Sequence, residues 1–239
     1  MLQIILKQFR ARCCKLPRMN AANDFVAISP EILYFGTPVA VISTLNSDGT
    51  TNLAAMSSFW ALGDRFMLGL TRFGQTWANL ERCPECVLNM PSPREWKHVE
   101  RLGHTTGRSE LTDYHRNAGI AYAEDKFSVS GFTPITSERV APLRVAECPV
   151  QIETQILAIH PSSKDAPFAY VEVQKLLVHA QRRILNPSAT RFDIESWSPL
   201  FYVFRHYYGK GAHLGKSFRA KDDYGEAFGV SSSCVGLIA

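Results

Sequence analysis

Two short stretches carry residue types and spacings that could do chemistry. The first is Thr71-Arg-Phe-Gly-Gln-Thr-Trp-Ala-Asn79. Gly74 lets the chain turn closely ahead of Gln75 to Arg82, which reads as a short helix with Trp77 and Leu80 on one side. The free N–H groups and dipole at a helix start favour an anion. Thr76 adds a hydroxyl there, and Arg72 a planar forked cation suited to phosphate oxygens. Asn79, three residues on, shares the Thr76 face. The plainer reading is a helix cap at Thr76 and a solvated Arg72. The second stretch is Asn52-Leu-Ala-Ala-Met-Ser-Ser-Phe-Trp60. Small residues at Ala54, Ala55, Ser57 and Ser58 let a planar ring approach the backbone, whose N–H groups can then bond to the ring's polar edge. The plainer reading is a strand of small, tightly packed residues. It accounts for the alanines better than for Asn52 and the paired serines.

Other chemistries are weakly represented. Cys83-Pro-Glu-Cys86 has metal or redox spacing, but it falls at a helix end before a strand and lacks a second ligand pair at a diagnostic distance. It reads as structural. His98 and His104 are six apart, on different helix faces, and make a poor metal pair. There is no Gly-x-Ser-x-Gly elbow and no Gly-x-Gly-x-x-Gly after a strand, and Gly209-Lys-Gly211 is too short for a phosphate loop. His206 and His213 read as structural or rim residues.

The elements around the two stretches are mostly strands. Val39 to Leu45 is a β-branched, buried-strand pattern, and Asp48-Gly49 is a hairpin signal. Thr51 to Leu62 reads as the returning strand, Gly63-Asp64 as a turn, and Phe66 to Thr71 as a third strand, which together make an antiparallel meander. Glu85 to Met90 is a further strand. Ser92-Pro-Arg-Glu95 has serine, proline and glutamate where a helix start wants them, for a helix through Trp96, Val99 and Leu102 to about Gly103. Residues 104 to 124 read as short helical turns, and Ser128 to Pro134 as loop. Val150 to Ile159 and Ala169 to His179 form a hairpin around residues 161 to 167. Strict alternation at the start of its first strand implies one wet face. Phe201 to Phe204 reads as a short last strand. Propensity alone leaves sandwich and barrel undecided.

With 239 residues, 46% hydrophobic and 20% charged, the chain reads as one ordinary domain with decorations. No apolar run approaches the ~18–20 residues that span a bilayer. Five of the 26 basic residues (Lys7, Arg10, Arg12, Lys15, Arg18) precede the first acid, Asp24, leaving 21 against 22 acids. The body is therefore nearly neutral, with no basic face for nucleic acid. Residues 1–23 read as a poorly ordered basic extension, or as upstream of a start at Met19, and 221–239 as a loosely ordered tail. Residues 24–220 form the domain.

In order and spacing, Pro38 to Asn89 resembles the flavin reductase-like family, whose fold is the FMN-binding split β-barrel. The family's elbow commonly reads lysine-aspartate-threonine, two residues, then asparagine. Gln75, Thr76 and Asn79 align with its last positions, and Gly74 stands where lysine is usual, so Arg72 is the substitute charge. Asn52, Leu53 and Ala54 match the asparagine-leucine-alanine-proline-x-serine stretch that lies along the isoalloxazine. Ala55 replaces the proline, and Ser57 and Ser58 cover the serine. Met56 and Phe59 complete the cofactor-binding set. Weaker matches at Asp125-Lys-Phe127 with Gly131-Phe-Thr133, Glu147 to Glu153, and Phe201 to Gly211 extend the resemblance over most of the chain. The resemblance implies a mainly β, antiparallel split barrel of Greek-key type with two or three peripheral helices. It further implies FMN as cofactor, NAD(P)H as electron donor, a cytoplasmic homodimer, and hydride transfer to flavin N5 and on to free flavin or another acceptor. No protein acid or base is obligatory in such a reaction, so no catalytic residue and no metal are assigned. A flavin carrier or sensor without turnover is the alternative. The pyridoxamine-phosphate-oxidase branch ranks last, because its basic cluster for substrate phosphate is not evident.

Overall fold

A computed structural model describes residues 27–31, 33–161, 166–211 and 214. Two units are distinguished, Met1–Leu33 and Tyr34–Ala239. In the first, residues 27–31 and 33 are exposed and irregular. The basic segment 1–23, the tail 221–239 and His213 lie outside the described residues. No helix among the described residues is long and apolar enough to cross a membrane.

The second unit is built on one antiparallel sheet. Its strands, in chain order, are β1 Phe35–Pro38, β2 Ala40–Leu45, β3 Thr51–Met56, β4 Phe59–Leu62, β5 Arg65–Thr71 and β6 Glu85–Met90. The long hairpin follows later, as β11 Val150–Pro161 and β12 Phe168–Ala180. Between these lie helices α1 Gln75–Arg82, α2 Trp96–Gly103, α3 Asp113–Asn117 and α4 Lys126–Ser130. The same interval holds the two-residue strands β7 Thr105–Thr106, β8 Ala121–Tyr122, β9 Pro134–Ile135 and β10 Arg144–Val145. A final hairpin, β13 Phe201–Val203 and β14 His206–Tyr208, pairs with β1.

Seven strands form the main sheet in the order β3-β2-β6-β11-β12-β5-β4. The two edge strands, β3 and β4, are separated in sequence only by Ser57 and Ser58. Laid flat, seven strands at ~4.8 Å spacing would hold those edges roughly 29 Å apart. The chain from Met56 to Phe59 can reach at most about 11 Å. The sheet must therefore curl until its edges meet, which makes a barrel split along that seam. Ser58 sits at the crossing, where its carbonyl accepts the Gly69 N–H at 2.7 Å. A Cβ at position 69 would stand 3.2 Å from that of Ser58, so glycine lets β5 approach the corner.

The single strand expected over residues 51–62 is thus two strands on opposite edges. Local propensity runs straight through Ser57 and Ser58, and only closure of the barrel demands the break.

Both faces of β2 are buried, which explains its continuous apolar run. Ala40 and Ile42 face the barrel interior with Leu68, Leu88, Trp77, Val171 and Val173. Val39 and Val41 join Leu53, Val99, Leu102 and Phe132 beneath α2 and α4. The expected helix start at Ser92 opens a 3-10 turn, Pro93–Glu95, that runs directly into α2: Ser92 Oγ accepts the Arg94 N–H at 3.3 Å, and Glu95 accepts the Ser92 N–H at 2.7 Å. Cys83 caps α1, and Cys86 lies wholly buried in β6 with its sulfur 3.0 Å from the Thr154 hydroxyl. Burial pushes the Cys86 thiol up to about 12, so it stays protonated and unreactive.

Several short elements depart from the sequence expectation. The expected loop from Ser128 to Pro134 instead begins inside a helix, α4, with Asp125 accepting the Ser128 N–H at 3.0 Å and Gly131 left-handed at φ 75°. Five residues are too few to show a helical period. The β13–β14 turn places Phe204 and Arg205 at φ 45° and 69° without the glycine or asparagine that usually announces such a turn.

The wet face expected at the start of β11 is buried as well: Gln151 is 6% and Glu153 0% exposed. The segment carrying β9 and β10 covers them. Glu153 accepts the N–H of Glu138 at 3.0 Å and of Arg139 at 2.6 Å, and the His179 ring N–H at 2.6 Å. Arg144 lies 3.7 Å from it. Desolvation pushes the Glu153 carboxyl upward, but the two backbone donors and His179 outweigh it and hold it below 4.5. A depressed carboxyl stabilises the fold fully above its unfolded value and loses that contribution as pH falls through the folded one. Stability in urea is therefore expected to be level from neutral pH to about 5 and to fall below about 4.5. In a Glu153→Gln variant, the acid limb should be shallower.

Candidate functional site

A cavity of about 460 Å³ opens along the barrel seam. That volume suits a ligand of cofactor size. One wall is β3 and the corner: Asn52, Leu53, Ala54, Met56, Ser57 and Ser58 all line it. Gly74, Gln75 and Thr76, at the start of α1, line another side. The barrel's closure brings the two sequence stretches together, because β3 ends at the seam and β5 leads from the seam's other side into α1.

The α1 start is arranged to receive an anion. Gly74 is its N-cap, in extended conformation, and no side chain among the described residues caps the first turn. The first-turn N–H groups are thus left for a ligand or solvent. Thr76 is 9% exposed, and its hydroxyl accepts from Asn52 Nδ2 at 3.4 Å. This bond joins the two stretches directly.

Three expected residues stand elsewhere. Asn79 lies behind the wall, donating to Thr44 Oγ1 at 3.0 Å and Asn46 Oδ1 at 2.8 Å, and accepting from Gln75 at 2.9 Å. It braces the α1 start against the β2–β3 turn. Phe59 is 8% exposed and packs in the barrel core. Arg72 is not among the cavity-lining residues. Its guanidinium lies 5.7 Å from the Trp77 ring centroid, and the Arg72 backbone N–H donates to Pro167 O at 2.9 Å.

Sequence reasoning passed over most of the opposite wall. Gly107 closes on Asn52 and Gln75 so tightly that a Cβ there would meet Asn52 Oδ1 at 2.6 Å and Gln75 Cγ at 2.9 Å. Lys126 is 2% exposed, lines the cavity, and donates to Thr105 Oγ1 at 2.6 Å. Burial lowers its ammonium to about 8. Tyr34, Tyr202 and Tyr207 form an aromatic wall, with ring centroids 5.8 Å and 5.5 Å apart. Burial raises the phenol of Tyr202, and burial together with the Glu100 carboxylate raises that of Tyr207, so both stay neutral hydrogen-bonding groups. Lys126 had left a trace in sequence through the Asp125-Lys-Phe127 match, and Tyr202 and Tyr207 through the match over Phe201 to Gly211.

An uncapped helix start, a strand of small residues, an aromatic wall and a buried cation fit a flat ligand that carries negative charge. The chain belongs to the flavin reductase-like domain family, whose model matches residues 32–211. The uncharacterised Bacillus subtilis protein YdfE is 41% identical over 197 residues, covering 82% of this chain and 95% of that protein. Among solved structures, the fold is similar to flavoredoxin of Desulfovibrio vulgaris, with a TM-score of 0.68 and 20% identity over 82% of this chain and 98% of that one. It is also similar to nitrilotriacetate monooxygenase component B from Bacillus cereus, with a TM-score of 0.66 and 16% identity over 82% and 100% of the two chains.

Proposed function

We propose that this protein is an FMN-dependent oxidoreductase that holds the cofactor in the seam cavity. The observation that carries the reading is the meeting of the uncapped α1 start with the Asn52–Ser58 wall across the Asn52–Thr76 bond. The first-turn N–H groups and the Thr76 hydroxyl take the phosphate. Backbone N–H groups around Ala54 to Ser58 address the polar edge of the ring, and Gly107 lets it lie close. FMN held there would supply the redox chemistry, as acceptor of hydride from NAD(P)H and source of electrons for free flavin or another acceptor. The protein's part is to orient the ring, limit water and set the charge around it. Trp60, Leu62, Phe168 and Tyr170 are large, exposed and apolar, and support assembly as a homodimer.

The decisive experiment is an absorption spectrum of the purified chain with and without added FMN, followed by NADH and NADPH oxidation. A flavin spectrum with turnover supports the reading. Bound flavin without turnover would make the protein a carrier or sensor, and no uptake of flavin would end the proposal. Thr76→Val is expected to weaken FMN binding by roughly tenfold, about 1.4 kcal/mol, while riboflavin binding changes little. Equal loss for both flavins would move the phosphate away from α1.

A further inference from the structure

We infer that the Lys126 side chain is the positive charge that this site turns toward an anionic oxygen of the bound flavin. The inference rests on the FMN reading above and assigns Lys126 the role that the sequence had offered to Arg72.

An ammonium is expensive to bury unless a charge or several hydrogen bonds replace its water. Lys126 is 2% exposed, yet its one hydrogen bond among the described residues goes to the neutral Thr105 hydroxyl at 2.6 Å. No carboxylate among the described residues forms an ion pair with it. Acids at the start of α4 and on α2, which packs against it, are otherwise engaged. Asp125 caps α4, and Glu100 of α2 holds His104 at 3.2 Å and bonds Tyr207. His98 and Arg101 of α2 turn to the Ser130 carbonyl, both at 2.9 Å. Neither β7 nor β3 brings a titratable group. The cation therefore has a single open direction, the cavity it lines. Desolvation lowers its proton affinity to about 8, the mark of a charge still waiting for its counter-ion.

Arg72 differs in being only partly buried. It lies against Trp77, outside the cavity lining.

Two oxygens of a flavin can carry the matching negative charge: the phosphate, and the pyrimidine carbonyl edge once the ring is reduced. The test separates them. Wild type, Lys126→Met and Lys126→Arg are titrated with FMN and with riboflavin, and the midpoint potential of each bound flavin is measured. Lys126→Met is expected to lose at least tenfold in affinity, with Lys126→Arg recovering part of it. If the ring edge is the partner, both flavins suffer alike and the reduced form suffers more. A tenfold difference between the two oxidation states moves the potential down by about 30 mV. If the phosphate is the partner, FMN alone weakens, equally in both oxidation states. Either pattern supports the inference.

A second measurement needs no variant. An incoming anion raises the Lys126 proton affinity, so flavin binding by wild type should take up protons near pH 8 and weaken as pH climbs from 7 to 9.5. Calorimetry in buffers of different ionisation enthalpy reads the uptake. Wild type that binds both oxidised and reduced FMN with a flat pH profile, or Lys126→Met that binds like wild type with an unchanged potential, would overturn the inference and leave the FMN reading standing. Wild type that takes up neither flavin removes both.

Discussion

Glu153→Ala is expected to lower folding stability by about 3 kcal/mol, the largest effect predicted for a residue outside the cavity. The loss comes less from the missing attraction than from what stays behind. The N–H groups of Glu138 and Arg139, the His179 ring and the Arg144 guanidinium all converge on that carboxylate. Without it the two part-buried N–H groups and the His179 ring lose their acceptor, while Arg144 keeps the Thr136 carbonyl and Gln151 Oε1, and each orphaned donor is costly. Urea unfolding at pH 7 measures the change. Glu172→Ala is the control, because the Arg65 and His160 side chains that meet Glu172 are more than half exposed. Surface pairs of this kind contribute little. A loss for Glu153→Ala no larger than the control's would show that the β9–β10 segment is held by its apolar contacts instead. The seam cavity is lined by other strands, so under the proposed function whatever protein remains folded should bind FMN normally.

Gly107→Val is expected to weaken FMN binding by on the order of 100-fold, about 2.7 kcal/mol. Fold stability should fall by only about 1–3 kcal/mol. Even the first added carbon would sit 2.6 Å from Asn52 Oδ1 and about as close to two Gln75 atoms, at 2.9 Å and 3.0 Å. Asn52 is 2% exposed and has no room to retreat, and Gln75 is tied to Asn79. Relief must come by pushing Gln75 and the α1 start out of line, which dismantles the anion site and parts Asn52 from Thr76. Fluorescence titration with FMN, alongside urea unfolding, tests both halves. Unchanged affinity in a folded variant would place the ligand away from this wall.

These two sites also show what could be foreseen from the chain alone. Asn52, Ser57, Ser58, Gln75 and Thr76 were legible as residues that line one cavity because their chemistry is local. A glycine before a short helix and a run of small residues in a strand mean much the same in any fold. Lys126 was not legible as a site residue. A lysine after an aspartate is ordinarily a solvated side chain, and only its burial in a cavity beside Thr105 changes its meaning. Gly107 gave no local signal either, since its backbone needs no special conformation. Its value lies in neighbours 55 and 32 residues away in the chain, at Asn52 and Gln75. Glu153 looked like one polar position in an alternating strand. The cover that turns it into a buried hub comes from a loop with no periodicity of its own.

By itself, the amino-acid order determined the strand-rich class, the helix starts at Gln75 and Ser92, the long hairpin and the anion-favouring elbow. Each follows from side-chain size, branching and hydrogen bonding within a few residues. Tertiary structure alone decided the break at Ser57 and Ser58, the removal of Arg72 and Asn79 from the cavity, and the arrival of Lys126 in it. The reason is geometric. Seven strands whose outer members are joined by two residues can satisfy their hydrogen bonds only by curling, and curling sets which distant side chains share a wall.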